Sequence, residues 1–139
     1  MVENYAILPC NGLDKCAGVI SRELAIKLCE NGENEIICPV FARIADAKYN
    51  KILEEHPLLV IDGCATRCAS KLALEKNFKV SKKITVTEEA KNHNIELKSN
   101  LRLHENENAL IEIILNGLII YDNKVKTLSD ETKFTYNFE

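Results

Sequence analysis

The chain has 139 residues, 46% hydrophobic and 28% charged, which is enough for one packed domain and argues against disorder. A formal charge of −3, 6% aromatics and no tryptophan give no reason to expect a nucleic-acid backbone, a base-stacking surface or an anionic membrane as partner. No stretch approaches the roughly 18 apolar residues that span a bilayer, and the first ten residues lack the basic leader of a signal peptide.

Residues 5–9, Tyr-Ala-Ile-Leu-Pro, form the first apolar run and predict a strand. A helix follows over residues 14–30, where Ala17, Ile20, Leu24 and Leu28 recur at spacings of three and four, and Asn31-Gly32 supplies its stop. Residues 35–40 are the second strand, with Cys38 near its carboxyl end. Asp46 then caps a helix carrying Ala47, Ile52 and Leu53, ended by His56-Pro57 because a residue before proline avoids helical geometry.

Residues 58–61 are the third strand, and after Gly63 a helix carries Ala65, Ala69, Leu72 and Ala73, closed by Asn77. The fourth strand is expected over residues 79–87. None of these runs alternates cleanly, as befits strands covered on both faces. The order predicts an α/β fold: an open, mainly parallel sheet of about four strands with helices on both faces. Residues 1–139 read as a single domain, with a core at about 4–90 and a C-terminal extension over 95–139.

In that extension, Leu110, Ile111, Ile114, Leu115 and Leu118 share one helical face, with Asn108 as a cap. Asn116-Gly117 between apolar runs is the competing hairpin signal, and helix is preferred. The polar tail from Asn123 reads as an edge strand or a loose end.

With no export signal, the chain is expected in the cytoplasm, where six cysteines point to metal binding or thiol chemistry and not to a disulfide framework. Cys10 follows the first strand, Cys38 ends the second, and Cys64 follows the third with Cys68 four residues on. All carboxyl ends of a parallel sheet share one edge, and open α/β folds bind their ligands there. If Cys64 and Cys68 stand at i and i+4 at a helix start, their sulfurs share a face and suit a tetrahedral zinc site completed by Cys10 and Cys38. Four thiolates around Zn²⁺ leave about −2, which a helix N-terminus favours. Arg67 and Lys71 either assist from that helix or form its solvated face. Cys29 fits a small buried hydrophobe, and Cys16 fits either that role or a spare ligand or redox partner.

The segment Ile61-Asp62-Gly63-Cys64, followed by Cys68 and Ala69, resembles the DGC family, which is named for this Asp-Gly-Cys motif and regarded as zinc-binding. The resemblance takes in Leu8-Pro9-Cys10-Asn11-Gly12, Cys38 and the strand around Ile84, and covers roughly residues 4–90. It implies the same four cysteines as ligands, and implies a metal site without a reaction. Gly63 is expected to adopt a dihedral that other residues resist, and Asp62 to accept hydrogen bonds from loop amides or to orient a ligand loop.

Three functions compete. A four-cysteine zinc site leaves no open coordination position, so its role would be structural or metal-handling. A redox or sulfur-transfer protein would use Cys64, its pKa lowered at a helix N-terminus, with Cys68 resolving it. An iron–sulfur cluster also suits four thiolates. No His-Glu-x-x-His motif occurs, and His56, His93 and His104 are scattered surface residues. Cys10 to Cys16 has the length of a phosphatase loop, but Cys16 stands where that chemistry needs arginine. A protein partner and a homo-oligomer both stay open.

Overall fold

The computed structural model describes residues 5–12, 14–30, 34–97 and 101–128, with side chains to residue 118. Four parallel strands, β1 (Ala6–Pro9), β2 (Glu35–Ile36), β3 (Leu58–Asp62) and β4 (Val80–Thr85), form one sheet in the order β2-β1-β3-β4. The helices are α1 (Cys16–Glu30), α2 (Pro39–Ile44), α3 (Asn50–Glu55), α4 (Cys68–Glu75), α5 (Val86–Asn92) and α6 (Glu105–Leu128), with a 3-10 turn at Asp46–Tyr49 before α3.

Every residue of β1 and β3 is buried, because helices cover the sheet on both sides. Strand alternation sends Ile7, Leu59, Ile61 and Ile84 to one face, against Ile20 and Leu24 of α1, Ala90 of α5 and Leu110, Ile111, Ile114 and Leu118 of α6. It sends Ala6, Leu8, Leu58 and Val60 to the other face, against Ala42 of α2, Tyr49, and Leu72 and Ala73 of α4. Each large side chain removed from water in these two layers stabilises the fold by about 1.5–3 kcal/mol before entropy is subtracted.

Several expectations change, among them the Asp46 cap: Asp46 lies inside the 3-10 turn, whose N-cap is Ala45. The second strand stops at Ile36, and Pro39 starts α2 where proline is tolerated at the first helical position. The fourth strand ends at Thr85, and residues 86 and 87 open α5. The cap of α6 lies four residues earlier than Asn108: the His104 N–H donates to Glu107 Oε1 at 2.7 Å, as in a capping box. Helix α6 continues through Asn123 to Leu128, so the tail is helical to that point and residues 129–139 lie outside the description, as do Asn31 and Gly32.

Asn77 does close α4. It is left-handed at φ 60°, the Phe78 N–H donates to the Ala73 carbonyl at 2.9 Å and the Asn77 N–H to Leu74, a Schellman motif. Asn94 repeats it behind α5, with Ile95 donating to Ala90. No helix among the described residues is long and apolar enough to cross a membrane.

Candidate metal centre at the carboxyl edge of the sheet

The chain runs from β1 outward to β2, then returns across β1 to β3, so the strand order reverses between β1 and β3. Loops leaving such a pair diverge to opposite faces and open a crevice at their carboxyl ends. Cys10 stands at this reversal, half-buried, its N–H donating to the Ile61 carbonyl at 2.8 Å and so prolonging the β1–β3 ladder.

Cys38 lies beside it. The Ile37 N–H donates to the Ile7 carbonyl at 2.8 Å, the Cys38 N–H to the Tyr49 hydroxyl at 3.1 Å, and Cys38 becomes the N-cap of α2. It is therefore a helix-start residue just past the strand, not a strand residue.

Cys64 and Cys68 are not one turn apart on a helix. Residues 63–67 form a turn, closed by the Arg67 N–H donating to the Cys64 carbonyl at 3.0 Å, and Cys68 is the first residue of α4. Arg67 between them is left-handed, with φ 53° and ψ 50°, which interrupts the helical path. Gly63 has no positive φ. It is small because a Cβ there would come within 3.0 Å of the Ala17 carbonyl carbon and the Gly18 nitrogen, where the turn packs on the start of α1.

Asp62 fixes the far side of the turn. Strand alternation points its buried carboxylate toward α4, where Oδ1 accepts from the N–H groups of Ala69 at 2.9 Å and Ser70 at 3.1 Å, and Oδ2 from the Ser70 hydroxyl. A side chain at the end of β3 thereby caps α4, since Arg67 at the N-cap makes no side-chain cap.

The thiols divide by environment. All six are free. Hydrogen bonds from the Thr66 side chain and backbone to its sulfur hold the Cys64 thiol below the ordinary cysteine value. Lys15 adds to the effect, and partial burial and Asp62 oppose it. The cause is this turn and not a helix N-terminus. Burial, then the Glu107 carboxylate, pushes Cys16 up; burial, then Glu35, does the same to Cys29. Cys16 belongs to the apolar core and Cys29 packs against it.

Cys10 and Cys68 line one open cleft of about 420 Å³ between α2 and α4, with Pro39, Arg43, Lys71 and Leu72 among its walls. Arg43 bridges the cleft to Glu75 at 2.8 Å. Lys71 lines the same cleft as Cys10 and Cys68, whereas the Arg67 guanidinium pairs with Glu88 at 2.9 Å. Among the described residues, no three His, Cys, Asp or Glu side chains stand close enough together to hold a metal ion. His56 faces Glu35 at the amino edge, ahead of β3, and His93 faces Glu89 on α5.

A family model for the DGC domain matches residues 6–113. The chain belongs to the DGC domain family. The match runs past the resemblance at 4–90 and into α6, taking in Leu110 and Ile111, which share the core layer under β1 and β3. No curated protein and no solved structure matches the chain.

No local sequence pattern reveals the Arg67–Glu88 pair or the Ser70 hydroxyl on Asp62, and α5 falls where a strand is expected. The acidic pair Glu88-Glu89 in the first turn of α5 was the available signal for that helix.

Proposed function

We propose that this DGC protein binds zinc in the cytoplasm through Cys10, Cys38, Cys64 and Cys68, in a structural or metal-handling role. One observation carries the reading. Three of the cysteines lie within two residues of the carboxyl ends of three adjacent parallel strands, and the fourth opens the helix that Asp62 ties to the third of them.

The donor chemistry fits. Four thiols suit a soft tetrahedral zinc site, while Cys16 belongs to the apolar core and Cys29 packs against it. The four donors come from three segments, after β1, β2 and β3, and not from a finished cage, so metal uptake would be coupled to drawing those segments together and to loss of thiol protons. Zinc held in this way would crosslink three strand ends and leave no open coordination position for hydrolysis.

The reading is tested by purification without oxygen, followed by a visible spectrum, metal analysis and thiol counting. A colourless protein with about one zinc per chain, and Cys10, Cys38, Cys64 and Cys68 shielded until a chelator is added, supports it. A brown protein with iron and sulfide overturns it in favour of a cluster. A metal-free protein whose Cys64 is alkylated first, with Cys68 pairing to it on oxidation, overturns it in favour of thiol chemistry, to which the Thr66 contacts at Cys64 lend weight.

A further inference from the structure

The turn between Cys64 and Cys68 is held at both ends. At its start, the Thr87 N–H donates to the Gly63 carbonyl at 3.1 Å; at its finish, Asp62 holds the amides of Ala69 and Ser70. Between these points Arg67 adopts a left-handed conformation at φ 53°, which side chains with a Cβ resist and glycine accepts freely. No glycine stands there. Arg67 instead extends its guanidinium to Glu88 at 2.9 Å, and Glu88 is the neighbour of Thr87, the residue that grips Gly63. The first turn of α5 therefore grips the turn twice, once by backbone and once by an ion pair.

We infer that Glu88 is a positioning residue for the cysteine site: through Arg67 it keeps residue 67 left-handed and so sets how Cys68 is presented relative to Cys64. A left-handed arginine is then explained by its side chain, where a glycine would meet the backbone requirement but leave α5 unlinked. The consequence for metal affinity rests on the zinc reading. The consequence for the backbone does not.

The test uses the full chain and three variants, Glu88→Gln, Arg67→Ala and Arg67→Gly. In metal-free protein, NMR hydrogen exchange reports the amide of residue 67, which donates to the Cys64 carbonyl. Exchange should quicken about two- to fivefold in Glu88→Gln, the loss appropriate to a half-exposed ion pair. Arg67→Ala should quicken it about as much as Glu88→Gln, because both lose the pair and both keep a Cβ in the left-handed state. Arg67→Gly should quicken it less than Glu88→Gln, because glycine loses the pair but adopts the left-handed state without that cost.

Zinc affinity, measured by competition with a chromophoric chelator, should weaken in the same order. Unchanged exchange in Glu88→Gln, or Arg67→Gly as fast as Arg67→Ala, overturns the inference. If the unaltered chain binds no zinc, the zinc reading fails, and the exchange order still decides the role of Glu88.

Discussion

The buried carboxylate of Asp62, the last residue of β3, accepts the Ala69 N–H at 2.9 Å and so joins the sheet to the first turn of α4. The Asp of the motif is thus a cap that fixes the helix carrying Cys68. Asp62→Ala would leave the Ala69 and Ser70 donors without this acceptor, and a loss of about 2–3 kcal/mol is expected. Asp62→Asn keeps one oxygen and should lose roughly half as much. Urea unfolding midpoints at constant m-value check both.

The glycines beside the site act by closeness. A Cβ on Gly18 would fall 1.9 Å from the Gly12 carbonyl oxygen, whereas one on Gly63 would meet α1 backbone at 3.0 Å. Gly63→Ala should cost about 1–3 kcal/mol, as overpacking does, and Gly18→Ala distinctly more, because its Cβ would fall 1.9 Å from backbone against 3.0 Å for Gly63. Thermal melts of the two variants should rank them in that order; equal melts would contradict the packing.

Thiol reactivity should follow environment. In metal-free protein at neutral pH, Cys64 has the larger thiolate fraction because Thr66 stabilises its charge, and Cys16 and Cys29 have the smaller ones. Site-resolved alkylation should therefore label Cys64 ahead of both. Thr66→Val should slow Cys64 by roughly threefold or more without altering Cys16.

Glu89, buried on the inner side of α5, is pushed above the ordinary carboxylate value by burial, partly offset by His93 and reinforced by Glu88. A raised carboxyl contributes stability that is complete below its unfolded value and is lost as pH rises through the folded one. Glu89→Gln should accordingly melt higher than the unaltered chain at neutral pH, and the advantage should shrink as the pH falls into the carboxylate range. A Glu89→Gln melting temperature below that of the unaltered chain at pH 7 would contradict this.

Much of the site's placement could be read from the residues, because apolar runs without alternation mark covered parallel strands and a parallel sheet has one carboxyl edge. Hence the apolar runs alone place Cys10, Cys38 and Cys64 at neighbouring strand ends. The local path around them was harder. Val86 and Thr87 have strand-like side chains, yet they start α5. Leu110, Ile111, Ile114 and Leu118 all find the core, so packing overrides the hairpin signal of Asn116-Gly117. The left-handed state of Arg67 and the true reason for Gly63 depend on partners 21 or more residues away, Glu88 and the start of α1, which no local pattern reveals.

The most direct test of the zinc reading is the zinc K-edge X-ray absorption of the purified chain and of its single cysteine-to-serine variants. The account predicts a shell of about four sulfurs at about 2.3 Å. One sulfur should be lost in each of Cys10→Ser, Cys38→Ser, Cys64→Ser and Cys68→Ser, and none in Cys16→Ser or Cys29→Ser. A shell of nitrogen and oxygen, or sulfur lost on changing Cys16 or Cys29, would contradict it.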